Sequence, residues 1–232
     1  MFMRTALVMQ RRRVSMAMVA VMAGAIGLTG AGPAAAATVT VDCTANPAAL
    51  QPAINAAAPG DTLRVIGTCI GPFIINNKDL NLVGRRAAVL DGNQAGNSPA
   101  VLVTNSVVAL DRLTVTNGNA APAGGIFNNG GTITMNRSSV TDNTSGFAGG
   151  GIMNTGVMTL TATTVSGNFA PNIGGGIFNQ GGANLTLIRS TVTSNTAGIN
   201  GGGIYDNGGM VSLVRSTVTG NLPNDCVNVP GC

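Results

Sequence analysis

The chain has no histidine, no tryptophan and no glutamate, and its eight acidic residues are all aspartate. Without His or Glu it lacks the groups that most often serve as general acid, general base and zinc ligand. Aromatic residues are also scarce, at 3%. Twelve basic residues against eight acidic ones suggest a polyanion partner, but four of the arginines, Arg4 and Arg11-Arg12-Arg13, sit at the extreme N-terminus. That segment reads as a leader. The remainder carries eight basic and eight acidic residues, a balance that argues against nucleic-acid binding.

The leader has three parts. Met1 to about Arg13 is basic, Val14 to Gly30 is uncharged and largely apolar, and Ala35-Ala36-Ala37 supplies small residues for cleavage. This order predicts a secretory signal peptide over 1–37, with general secretion favoured over the twin-arginine route. The apolar run is short for a membrane span. The mature chain, 38–232, is expected to be secreted or displayed at the cell surface, with no membrane span once the signal is removed.

Glycine is abundant, at 34 residues, and much of it recurs at fixed spacing. The stretch Gly201 to Asn221 has earlier copies. Aligning them gives an isoleucine column, Ile126, Ile152, Ile177 and Ile204, extended backward by Ile74 and Val101. A second column runs Val108, Ile133, Met158, Leu185, Val211, and a third runs Leu110, Met135, Leu160, Leu187, Leu213. The fourth is all valine: Val115, Val140, Val165, Val192, Val218. The step is about 26 residues, within the range of solenoids and propellers. Within a copy, aliphatics alternate with Ser, Thr or Ala, which is the period of a strand. Asn-Gly clusters between the runs tolerate the positive φ of tight corners. Three short strands and three corners per copy describe one coil of an all-β, single-stranded right-handed parallel β-helix. One coil buries too few aliphatics to offset the entropy of ordering it, so stability must come from stacking. Stacking also aligns Asn128, Asn154, Asn179 and Asp206 as a side-chain ladder.

The mature chain reads as one domain: an N-terminal cap over 38–60, coils over 61–221 and a C-terminal cap over 222–232. Thr38 to Val41 looks like a leading strand. Pro47 to Ala58, with Leu50 and Ile54 four apart, predicts a short capping helix over the open end of the apolar stack. Thr62 to Gly67, Phe73 to Asn76, Leu80 to Gly84 and Ala88 to Gly92 read as the first, less regular coils. The tail around Cys226 to Cys232 shows no strand pattern. Four cysteines in an exported chain favour disulfides over metal. Of the three connectivities, Cys43–Cys69 and Cys226–Cys232 are preferred, because each pair then staples one end of the solenoid. No cofactor or metal is expected.

The motif G-G-G-I-[FYM]-[ND], followed by alternating aliphatics and [RA]-[ST]-[ST]-V-[TS]-x-N, resembles the secreted right-handed parallel β-helix repeat proteins. It is also similar to the repeats of bacterial polymorphic outer-membrane proteins. Leu50-Gln51-Pro52-Ala53-Ile54 through Gly60-Asp61-Thr62 to Val65 is similar to the leading segment of pectate-lyase-like β-helices. This resemblance covers nearly all of the mature chain and implies the fold. It leaves activity open, since the superfamily includes lyases, hydrolases and adhesins.

An enzyme of that superfamily would need clustered acids. By column alignment Asp91 falls with Asn117 and Asp142, Asp111 lies across a corner and Asp79 stands elsewhere, so no catalytic residue is assigned. Three outward columns are candidates for binding instead. Phe127, Met153, Phe178 and Tyr205 follow the Gly-Ile step and would form an aromatic stripe, able to stack on sugar rings or to pack against a glycine-floored corner. Arg112, Arg137, Arg189 and Arg215, interrupted by Ala162, recur just before a corner and suit the carboxylates of an acidic glycan. Thr114 and Thr116, Ser139 and Thr141, Thr164 and Ser166, Thr191 and Thr193, and Thr217 and Thr219 flank each inward valine as a flat hydroxyl face. That face resembles those of β-helical ice-binding proteins. The leading expectation is a non-catalytic solenoid that binds polysaccharide or cell envelope. The alternatives are a polysaccharide lyase or glycoside hydrolase, and an ice-binding or purely structural solenoid.

Overall fold

The computed structural model describes residues 35–94 and 96–232. The expected leader lies outside the described residues except for Ala35-Ala36-Ala37. The described chain winds into an all-β parallel solenoid of about eight coils, stepping about 25 residues from coil to coil. Four sequence columns become registered stacks. Val115, Val140, Val165, Val192 and Val218 pair in succession. So do Val108 to Val211 and Leu110 to Leu213. The isoleucines stack from Ile126 to Ile204.

Each regular coil turns through four strands. A first face is built from Thr132–Asn136, Val157–Thr161, Asn184–Ile188 and Met210–Val214. A second face is built from Ser139–Thr141, Thr164–Ser166, Thr191–Thr193 and Thr217–Thr219. Both continue from Val107–Thr116, which bends through the corner between them and pairs with each. A third face runs from Phe73–Asn76 to Cys226–Val227. Two-residue strands such as Thr144–Ser145 and Phe169–Ala170 form a narrow fourth strip, one more than the sequence pattern suggested.

Three local expectations are corrected. The residue that extends the isoleucine column is Phe73, which pairs with Val101, whereas Ile74 pairs with Leu102 and faces outward. The chain reaches this face one residue earlier in the irregular coil, and the strand period then reverses every side chain. Asp91 pairs with Thr116 rather than standing level with Asn117, whose amide donates to it at 3.1 Å. The tail does contain a strand: Cys226 and Val227 pair with Ile204 and Tyr205.

The glycine triplets have a steric cause. A Cβ on Gly150 would meet the carbonyl oxygens of Gly175 and Phe169, and one on Gly175 would meet those of Thr196 and Gly202. Backbone packs on backbone there, within the coil and between coils, so no side chain fits. Elsewhere polar ladders fill the corners. Asn128, Asn154 and Asn179 each donate a side-chain amide to the next coil, at 2.8, 2.8 and 2.7 Å, and Asp206 accepts the last. A second buried ladder runs Asn143, Asn168, Asn195, Asn221 and ends on Asp225. No buried side-chain nitrogen or oxygen among the described residues lacks a partner, as a satisfied polar interior requires.

The N-terminal end is closed. Thr38–Asp42 pairs with Thr62–Ile70, and the helix Leu50–Ala56 buries Leu50 and Ile54 against the core. Lys78 donates its ammonium to the carbonyls of Ile54 and Asn55 at the end of that helix, at 3.0 and 2.9 Å. Both disulfides join the expected pairs, Cys43–Cys69 and Cys226–Cys232.

Candidate ligand-binding surfaces

The second face presents its hydroxyls in two registered columns. Thr114, Ser139, Thr164, Thr191 and Thr217 form one, and Thr116, Thr141, Ser166, Thr193 and Thr219 the other. All are half-buried or exposed, because the valine between them points inward. Neighbouring coils set the hydroxyls about 4.8 Å apart along the axis, and residues i and i+2 set them about 7 Å apart along the strand. Ser139 donates to Thr114 at 3.0 Å, and no other bond joins two hydroxyls of these columns. Most of this wall therefore keeps its donors for solvent or a ligand.

The arginine column sits at the corner rather than just before it. Arg112, Arg137, Ala162, Arg189 and Arg215 all adopt positive φ, between 47° and 55°. Such a conformation strains a residue with a side chain. Stacked backbone bonds hold it: the amide of Arg137 donates to Thr161, that of Ala162 to Ile188 and that of Arg189 to Val214. The bend turns each arginine outward between the two hydroxyl-bearing faces.

Asp111 is the local counter-ion. Its carboxylate accepts from Arg112 at 3.0 Å and from Arg137 of the next coil at 2.9 Å, and the Asn136 amide adds a bond at 3.2 Å. The Arg112 half of this cluster is visible in the sequence as adjacent residues, whereas the Arg137 half depends on coil register. Two guanidiniums share one carboxylate, so the corner keeps a net positive charge, and both guanidiniums stay about half exposed. A cleft of about 460 Å³ opens there, lined by Arg112, Thr114, Arg137, Ser139 and Ala162 among others. Arg189 and Arg215 have no carboxylate within ion-pair distance among the described residues.

Sequence reading missed a third hydroxyl column. On the first face Thr134, Thr159, Thr186 and Ser212 stack outward in register, continuing from Ala109. The signal was present, since Thr134 lies between inward Ile133 and Met135. Hydroxyls therefore flank the arginine corner on both sides.

The aromatic stripe is registered but largely covered. Phe127, Met153, Phe178 and Tyr205 pair in succession, and the rings of Phe178 and Tyr205 lie 6.0 Å apart. Phe178 is only 6% exposed. The glycine corners at Gly149, Gly174 and Gly201 pack on the Cβ atoms of Met153, Phe178 and Tyr205. The stripe is thus half-buried at Phe127, Met153 and Tyr205 and closed at Phe178. More exposed rings stand elsewhere, at Phe147 and Phe169.

The acids do not converge. Asp111 is held by two arginines, and no group of three or more Cys, Asp or Glu among the described residues is placed to hold a metal. Among the described residues no helix is long and apolar enough to cross a membrane. Comparison with known proteins finds no matching family model, no matching curated protein and no matching solved structure.

Proposed function

We propose that this chain is an exported, non-catalytic solenoid that binds an extended, acidic polysaccharide, such as a cell-envelope polymer, along its arginine corner. The observation that carries the reading is the wall itself: a half-exposed arginine column bordered on each side by registered hydroxyls, over a cleft at Arg112 and Arg137. Guanidinium groups suit carboxylate or sulfate bidentately, and hydroxyls donate or accept toward sugar hydroxyls. A polymer laid along the axis would meet hydroxyls at every coil and arginines at all but the coil of Ala162. Two disulfides fit an oxidising compartment, which supports export. The resemblance of the Leu50 to Val65 run to pectate-lyase-like β-helices supports a glycan ligand, and the scattered aspartates favour retention over turnover.

Retention of the full chain on immobilised acidic and neutral polysaccharides tests this. Binding to the acidic polymers, weakened by added salt and by Arg112→Gln/Arg137→Gln, is the expected outcome. Equal retention of wild type and variant would refute it, and unsaturated or reducing-end products would assign a lyase or hydrolase instead. The flat two-column hydroxyl face favours a second reading, an ordered-water or ice surface. Thermal hysteresis that disappears in Thr164→Tyr and Thr191→Tyr variants would assign it.

A further inference from the structure

One coil carries an insertion at the arginine corner. In the later coils this corner turns on one positive-φ residue, such as Arg137, Ala162 or Arg189. Within the strand Leu80–Asp91 the same bend is longer. Val83 pairs with Asp111 and Ala88 with Leu113, so Gly84 to Ala87 stand opposite Arg112 alone. Toward the preceding coil the bend passes Gly67, the one residue between Ile66 and Thr68. An insertion confined to one copy of a repeat maps to a loop, and such loops often mark the binding face.

The insertion has a fixed base and an exposed tip. A Cβ on Gly84 would meet the carbonyl oxygen of Arg112 and the side chain of Leu113, so the bend starts in backbone contact with the next coil. Arg86 and Ala87 then take φ of 53° and 56°. Arg85, Arg86 and Ala87 are all exposed. Neither arginine has a carboxylate within ion-pair distance among the described residues. Ala87 and Ala88 line one end of the cleft of about 460 Å³ that Arg112 and Arg137 also line, and Ala162 lies at its other end along the axis. The insertion therefore sets two further guanidiniums at the rim of a cleft that already holds two.

We infer that this cleft binds a phosphate group, carried as a monoester on a sugar and held by Arg85, Arg86, Arg112 and Arg137. Asp111 is the one carboxylate paired with any of the four, and it leaves Arg112 and Arg137 about half exposed. Four guanidiniums against one carboxylate leave an excess of three positive charges. A ligand carboxylate brings one negative charge and two oxygens, and would balance only part of that excess. A phosphate monoester brings a charge of about −1.5 to −2 at pH 7 and three strong acceptor oxygens. A sulfate ester has the same oxygens but a single charge. Arginine forks suit phosphate bidentately, so several can share one group. Thr114 and Ser139 line the same cleft and offer hydroxyls to the sugar. The inference deepens the polysaccharide reading and rests on it for the source of the sugar.

Calorimetric titration of the full chain tests this, with glucose phosphorylated on its primary hydroxyl, the corresponding sulfate ester, glucuronate and inorganic phosphate as probes. One site per chain is expected. The sugar phosphate should bind more tightly than the sulfate ester or glucuronate by about tenfold or more, the worth of one charge-assisted hydrogen bond. Arg85→Gln/Arg86→Gln should remove that preference while circular dichroism shows the fold retained, and amide chemical shifts at Ala87, Ala88 and Ala162 should report the bound state. Inorganic phosphate bound as tightly as the sugar phosphate supports the site with the free ion as ligand, and weaker binding of the ion supports it with a phosphorylated glycan. No saturable binding, equal affinity for the three sugars, or a preference that survives the double substitution overturns the inference. Retention of acidic polymers without any preference for phosphate overturns this inference alone. Binding of the sugar phosphate without retention of any polymer refutes the polysaccharide reading and leaves the phosphate site standing.

Discussion

Asn179 donates its buried side-chain amide to the carboxylate of Asp206 at 2.7 Å, and this bond ends the ladder that begins at Asn128. Each asparagine in the series donates to the following coil, and Asn154 and Asn179 also accept from the preceding one. The last member needs only to accept. An aspartate there satisfies the chain without leaving an amide hydrogen unpaired, and the second ladder ends the same way, on Asp225. The ladders thus have a direction, set by their terminal residues.

That direction makes the first prediction. Asn154→Leu takes from the Asn128 amide its shortest acceptor and leaves the Asn179 side-chain oxygen without its donor, so it should cost about 3 kcal/mol, at ~1–3 kcal/mol for each buried group affected. Asp206→Asn keeps the acceptor but adds one amide donor that the end of the ladder leaves unpaired, so it should cost less, about 1–2 kcal/mol. Urea unfolding of the two variants checks the contrast, and similar midpoints would show that ladder polarity is unimportant.

Glycine spacing offers a second. Gly150→Ala forces a Cβ into two backbone carbonyls, and neither can retreat without breaking the coil stack. Loss of the cooperative transition, or a destabilisation above about 3 kcal/mol, is expected. Gly208→Ala meets no atom within 4 Å and bears only the strain of its positive φ, about 1 kcal/mol. Thermal melts followed by circular dichroism should separate them clearly.

The N-terminal disulfide supplies a third. Cys43 and Cys69 close a loop across 26 residues of sequence, so Cys43→Ala/Cys69→Ala should lower stability by about 3 kcal/mol in the chain-entropy description. Cys226→Ala/Cys232→Ala closes a span of only 6 and should matter less. Unfolding midpoints of the two double variants decide the order.

A fourth concerns pH. The Thr44 hydroxyl donates to Asp42 at 2.6 Å and its amide at 2.9 Å, and together they hold this carboxyl below its ordinary value. A depressed folded pKa contributes stability that is present above the unfolded value and lost as pH falls through the folded one. Asp42 is exposed, so the effect on stability is small. Thr44→Val should raise the Asp42 pKa, read by carboxyl chemical shifts in an NMR titration. An unchanged titration would show that the hydroxyl has no part in it.

The sequence alone determined the stack. Ile133, Met158 and Leu185 could be aligned as a column because duplication preserved both the period and the inward parity of each strand. The first ladder followed from the same alignment, and both cysteine pairs from their positions at the two ends of the array. Where the period slips, as between Phe73 and Ile74, alignment placed the wrong residue inside, because a one-residue offset reverses a strand's faces. Tertiary structure decided the rest. Only the coil register brings Arg137 onto Asp111, an ion pair between residues 26 apart. Only the glycine corners show that Phe178 is covered, since its parity alone would place it outside. How far Val211 and Leu213 are covered likewise depends on where the tail folds. A repeat encodes what all coils share, but the ends and corners depend on what lies beside each coil, and that is set in three dimensions.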